Sequence, residues 1–86
     1  MTEKDYIIAS IRPFVMQQEV SVYLNGNCFK TIHCSIDEIE KTISTLANEY
    51  NIKHIDLIER SNMYSTKIKD NLITQYADKG LDIAIW

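Results

Sequence analysis

The fold is decided by a hairpin and by the elements that follow it. The hairpin reads VSVYLNGNCFKTI at residues 20–32. Its two flanks are rich in β-branched and aromatic residues, and Asn25-Gly26 between them supplies the positive φ angles of a type I′ turn. The stretch therefore predicts two antiparallel strands. Asn27 leaves a three-residue loop open as an alternative connection.

A first helix is predicted over residues 36–50, where apolar side chains recur at helical spacing. Ser35 and Glu38 have the spacing of a capping box, so we expect each side chain to accept a backbone N–H at the helix start. The apolar stripe consists of Ile36, Ile39, Ile43, Leu46, Ala47 and Tyr50.

A second helix is predicted between two further strands. Residues 53–58 follow the first helix without Gly or Pro and are typical of a strand. Ser61 or Asn62 then caps the second helix, and Gly80 ends it in the left-handed conformation. Residues 81–86 form the last strand. The apolar stripe of this second helix is Tyr64, Ile68, Leu72, Ile73 and Tyr76.

The N-terminal segment admits two interpretations. Residues 6–11 are rich in β-branched side chains and favour a strand. In the alternative, residues Thr2 to Asp5 would cap a short helix, although Pro13 would break any helix that continued through Arg12. We predict the strand.

The order strand, strand, strand, helix, strand, helix, strand predicts one α/β domain spanning residues 1–86, with a five-stranded mixed sheet. This order resembles the core of the ribonuclease H-like fold, which is shared with the actin-like ATPases. The resemblance implies the sheet order 3-2-1-4-5, with the last two strands parallel to the first. Right-handed crossovers in the same direction then place both helices on one face of the sheet.

Alternation along the strands identifies the side chains of the uncovered face. One side carries mainly aliphatic residues and predicts the core. The other side is mixed, and an apolar patch rimmed by polar groups is typical of a protein interface. We predict an interface formed by Tyr6, Ile8, Tyr23, Ile58 and Trp86. The alternative is a solvated face with a few tolerated apolar residues.

Composition narrows the class of protein. The 86 residues carry 12 acidic and 9 basic side chains, a net charge of −3, which disfavours a chain built to neutralise nucleic-acid phosphates. No apolar run has the length of a membrane helix. The charged start at residues 1–5 differs from a secretory signal, so we expect a cytoplasmic protein.

The carboxylates do not match a nuclease. Ribonuclease H-like nucleases hold two metal ions with acids from the first strand, the first helix and the end of the fourth strand. Here the first strand offers Ala9 and Ser10 instead of an acid, although Glu59 follows the fourth strand and Glu38 or Glu40 lies on the first helix. We therefore predict that the chain is not an enzyme.

Cofactor and metal motifs are also missing from the sequence. Gly26 and Gly80 are the only glycines, so the phosphate-binding loops of nucleotide enzymes cannot form. Cys28 and Cys34 are too far apart for a zinc knuckle, and they are expected to be reduced structural thiols. We predict no cofactor and no metal.

A weaker resemblance concerns small phage and prophage proteins of Firmicutes, to which no chemistry is assigned. It rests on residues 7–13, 18–23 and 55–58, with Tyr64 and Ile68. It implies a protein that modulates a host factor. We therefore predict a protein-binding domain whose partner is a second copy or a host protein.

The rival function is nucleic-acid binding, in which Tyr6, Tyr23 and Trp86 would stack bases. The predicted open face carries acids but no Lys or Arg. The basic side chains cluster around the second helix instead: Arg60, Lys67, Lys69 and Lys79.

Overall fold

A meander of three strands is followed by two helix–strand units in the computed structural model, which describes residues 5–12 and 14–86. The strands are β1 (Tyr6–Ser10), β2 (Gln18–Leu24), β3 (Asn27–Cys34), β4 (His54–Ile58) and β5 (Asp82–Ile85). The helices are α1 (Ile39–Glu49) and α2 (Met63–Gln75). The predicted order of elements is confirmed, including the strand in residues 6–11. Thr2 and Pro13 lie outside the described residues.

The sheet has the order β3-β2-β1-β4-β5, as predicted. β1 pairs antiparallel with β2, and β2 pairs antiparallel with β3. On its other side β1 pairs parallel with β4, which in turn pairs parallel with β5. The three parallel strands, β1, β4 and β5, therefore all have their carboxyl ends at the same edge of the sheet.

The hairpin between β2 and β3 closes through a two-residue turn. Asn25 and Gly26 have φ angles of 55° and 82°, and Leu24 pairs directly with Asn27. The positive φ angles are those that a type I′ turn requires, so the three-residue alternative is wrong. The register shifts beyond Val22, which leaves Phe29 as the extra residue of a bulge.

Replacing Gly26 with alanine should lower the free energy of unfolding by about 1 kcal/mol, because a Cβ disfavours positive φ. A Cβ built at this position meets no atom within 4 Å, so the cost is conformational and not steric crowding by neighbours. Urea denaturation measures the loss. Gly26→Asn is the control, since asparagine tolerates this conformation and should lose less. An equal loss in both variants would contradict the explanation.

Both helices cover the same face of the sheet, as predicted. Their buried side chains join the inward-facing strand residues in one hydrophobic cluster. The strands contribute Ile7, Ala9, Val20, Val22, Ile55, Leu57 and Ile83, and the helices contribute Ile39, Ile43, Leu46, Ala47, Ile68 and Leu72. These strand residues lie on the aliphatic side of the strands, which was predicted to be the core. The opposite face, which we call the open face, is covered by neither helix.

The start of the first helix differs from the prediction. Residues Ile36–Glu38 form a 3-10 turn, and α1 begins only at Ile39. The capping box is wrong, because the Ser35 hydroxyl donates to the Glu38 carboxylate at 3.3 Å and neither side chain accepts a backbone N–H. The Glu38 N–H bonds the Ser35 carbonyl instead, at 3.1 Å. A tight 3-10 turn thus satisfies a donor that a cap would otherwise take.

Candidate protein interface

The five predicted interface residues all lie on the open face. Tyr6 and Tyr23 are direct cross-strand partners on β1 and β2. Their rings stack with centroids 4.7 Å apart and planes 10° apart. Both side chains are half-buried, partly by each other. The pair forms a stacked aromatic cluster at the amino end of the parallel strands.

Among the predicted interface residues, the most accessible side chains lie at the other end of the open face. Ile58, the last residue of β4, is 43% exposed, and Trp86 is 73% exposed. Ile8, on β1, lies between these two residues and the tyrosine pair, and it is half-buried. The Trp86 indole N–H donates to the Asp56 carboxylate at 3.0 Å, which ties this large ring to the neighbouring strand. An anchored aromatic loses little side-chain entropy on binding.

The ionisable groups of the open face are paired across the strands. His54 contacts Asp82 at 3.0 Å, and His33 contacts Glu19 at 3.4 Å. The third acid, Asp56, accepts the indole N–H. Since each of the three acids contacts a polar side chain of a neighbouring strand, covering this face costs less than covering bare charges would.

A loop that contains none of the five predicted interface residues is the most exposed apolar segment of the described chain. Between β1 and β2, Phe14 is 98%, Val15 49% and Met16 90% exposed. Three consecutive large apolar side chains outside any strand or helix are unusual at a protein surface. That run was visible in the sequence, but its exposure depends on where the chain turns.

The turn is held by a buried glutamine at the start of β2. Gln18 is 0% exposed and alternates in β2 with the buried Val20 and Val22. Its amide group donates to the carbonyls of Arg12 and Val15, both at 2.9 Å, and its oxygen accepts the Arg12 N–H. The Val15 N–H also bonds the Arg12 carbonyl at 3.0 Å. One side chain thus fixes the loop that carries the exposed apolar segment.

This loop borders a groove at the carboxyl ends of β1 and β4. The lining residues are Ser10, Ile11, Arg12, Phe14, Val15, Ile58, Glu59, Arg60 and Ser61. Ser10 and Ile58 are register partners on the open face, so the groove continues that face around its edge. The ends of parallel strands are where open α/β sheets commonly bind ligands.

Glu59, the acid of the groove, caps α2 from inside the protein. It is 3% exposed. One carboxylate oxygen accepts the backbone N–H groups of Tyr64 and Ser65 at 3.0 and 2.7 Å and the Ser65 hydroxyl at 2.8 Å. The other oxygen accepts the Ser61 hydroxyl at 2.8 Å. These donors consume the carboxylate's hydrogen-bonding capacity, so Glu59 has a structural role here.

The predicted cap of α2 is therefore only partly right. Asn62 adopts a left-handed conformation with φ 58°, and its side chain caps nothing. Ser61 accepts the Met63 N–H at 3.3 Å, but Glu59 provides most of the cap.

The apolar stripe of α2 also needs correction, because Ile73 is 41% exposed while Ser65, which donates to Glu59, is fully buried.

The environment of Glu59 sets its ionisation. Burial by itself raises the pKa of a carboxyl group. Hydrogen bonds from the Ser61 and Ser65 hydroxyls and from the Ser65 and Tyr64 backbone outweigh burial, so the pKa of Glu59 lies below its ordinary value. The group is thus held as a carboxylate at neutral pH.

The described residues give no structural support for a metal site, for base stacking or for a membrane span. In the described part of the chain, no three His, Cys, Asp or Glu side chains group as metal ligands, and Cys28 and Cys34 are free thiols. The stacking of Tyr6 on Tyr23 occupies one face of each ring that a base would need. Among the described residues, each helix is too short or too polar to cross a bilayer.

Comparisons with models of protein families and with curated proteins find no match to this chain.

Proposed function

We propose that this chain is a non-enzymatic protein-binding domain that pairs with a second copy through its open face. The observation that carries the proposal is the uncovered sheet, on which Ile58 and Trp86 are 43% and 73% exposed. Parallel strands are normally covered on both faces. Here β1, β4 and β5 are covered by helices on one face only.

A second copy is a suitable cover for this face. Two sheets pack face to face about 10 Å apart when side chains of both faces interdigitate. The open face offers both aromatic anchors and short side chains between them, such as Ser21 and Ala84, which leave room for the partner's rings. Aromatic residues commonly dominate the energetics of such interfaces.

Replacing Ile58 with aspartate should convert the pair into a monomer, because the new charge would be buried without a partner. Light scattering after size exclusion measures the mass, and we expect the wild type to show twice the chain mass at high concentration. Ile73→Asp is the matched control, since Ile73 is 41% exposed but lies on α2, away from the open face. Its mass should stay at that of the pair.

A second pair of variants guards against misfolding. Trp86→Ala should reduce the mass in the same way, whereas Met63→Ala, which removes a 66% exposed side chain from α2, should not. Circular dichroism of all four variants checks the fold. A wild type that stays monomeric at millimolar concentration would overturn self-association, and the open face would then be free for a different protein.

A further inference from the structure

We propose that the groove at the carboxyl ends of β1 and β4 binds an extended acidic segment of another protein that carries an apolar side chain. This goes beyond self-association, because it assigns a different occupant to a site that shares Ile58 alone with the five predicted interface residues. The groove is built by the loop after β1 and by residues 58–61 after β4.

Charge indicates the polar half of the occupant. The chain as a whole is acidic, with a net charge of −3. In contrast, Arg12 and Arg60 both line the groove, both are exposed, and neither forms an ion pair within the described residues. Among the described residues that line the groove, Glu59 is the acid, and its oxygens already accept internal donors. The groove therefore presents two unneutralised cations, which favour a carboxylate-bearing ligand.

The apolar half of the occupant follows from the other lining residues. Phe14 and Val15 line the groove from the loop after β1, and Ile58 lines it from the end of β4. Phe14 is 98% exposed and loses the most contact with water if a ligand covers it. Since Gln18 holds the backbone of this loop, the aromatic side chain extends from a preorganised backbone. An apolar residue flanked by acids matches a groove that Phe14 and two arginines line together.

A protein segment fits better than a nucleic acid. Two arginines alone give few phosphate contacts, and the open face next to the groove carries Glu19, Asp56 and Asp82. A polyanion that extended beyond the groove would meet these acids. A short acidic segment need not.

The test uses a short fluorescein-labelled peptide in which leucines are flanked by glutamates, titrated with the full chain and followed by fluorescence anisotropy. A peptide with lysines in place of the glutamates is the charge control. We expect the acidic peptide to bind at least about tenfold more tightly than the basic one, and added salt to weaken its binding. Equal binding of both peptides, or binding of neither, overturns the proposal.

Variants localise the binding. The double change Arg12→Glu and Arg60→Glu should lower the affinity for the acidic peptide by at least about tenfold, and Phe14→Ser should do the same. The matched control reverses Lys41 and Lys67, two exposed cations on the helices, and should leave the affinity unchanged. Unchanged affinity in the arginine variant overturns the proposal. So does tighter binding of a labelled single-stranded oligonucleotide than of the acidic peptide.

The titration also separates this site from self-association. Trp86 is not among the residues that line the groove. Trp86→Ala should therefore abolish pairing without lowering the affinity for the peptide. Peptide binding to this variant would support the groove whatever the oligomeric state of the wild type. Loss of peptide binding in Trp86→Ala, with the fold intact, would overturn the assignment to the groove.

Discussion

Replacing Glu59 with alanine should lower the free energy of unfolding by about 3 kcal/mol. The change removes a helix cap, which is worth about 1 kcal/mol, and leaves the buried Ser65 N–H and hydroxyl without an acceptor, at about 1–3 kcal/mol. Water cannot replace the lost acceptor at Ser65, because this residue is 0% exposed in the folded protein. Urea denaturation measures the change, and the m-value should stay the same if only the folded state is affected.

The matched control is Glu49→Ala, because Glu49 is exposed near the end of α1 and makes no side-chain hydrogen bond within the described chain. Its effect should stay within about 0.5 kcal/mol. Glu59→Gln keeps one acceptor oxygen and should fall between the two. A Glu59→Ala loss as small as that of the control would show that water replaces the carboxylate as the cap.

The pH dependence gives a second readout for the same residue. The pKa of Glu59 is lowered in the fold, whereas the unfolded chain has an ordinary value of about 4.3. Its ionisation therefore contributes stability that is fully present above that ordinary value and is lost as the pH falls through the folded pKa. The stability difference between wild type and Glu59→Gln should accordingly narrow on acidification below about pH 4. A difference that stays constant would assign the effect to shape alone.

Glu59 also shows why part of the site could not be predicted. In sequence it follows β4 and lies four residues before the start of α2, so it does not have the spacing of a cap. It reaches the Ser65 N–H across six residues. That reach depends on the left-handed turn at Asn62, which local propensity leaves open. The capping box at Ser35 and Glu38 failed for a related reason, because a 3-10 turn competes with an α-helical start and costs little.

The faces of the sheet, by contrast, follow from alternation alone. A strand has a period of two, so burial of Ile7 and Ala9 forces Tyr6 and Ile8 to the opposite face. This reasoning placed all five predicted interface residues on the open face. It could not find Phe14 or Met16, since they belong to no strand, and no periodic pattern relates their exposure to the buried Gln18.

Replacing Gln18 with leucine should lower the free energy of unfolding by about 2–3 kcal/mol, because three backbone groups lose their hydrogen bonds to this buried side chain, at about 0.5–1.5 kcal/mol each. Leucine fills a similar volume, so cavity formation adds little. The partners are the Arg12 N–H, the Arg12 carbonyl and the Val15 carbonyl. Urea denaturation measures the loss, and hydrogen exchange of the Arg12 amide should accelerate because its acceptor is gone.

The adjacent residue supplies the matched control. Gln17 is exposed, so Gln17→Leu makes the same chemical change outside the core and should alter stability by less than about 0.5 kcal/mol. The two variants should also differ in binding. If Gln18 presents Phe14 to a ligand, Gln18→Leu should weaken the acidic peptide even at temperatures where the protein remains folded, since the loop must then be ordered on binding. Unchanged affinity in this variant, together with unchanged exchange at Arg12, would mean that the backbone of the loop holds its shape without the glutamine.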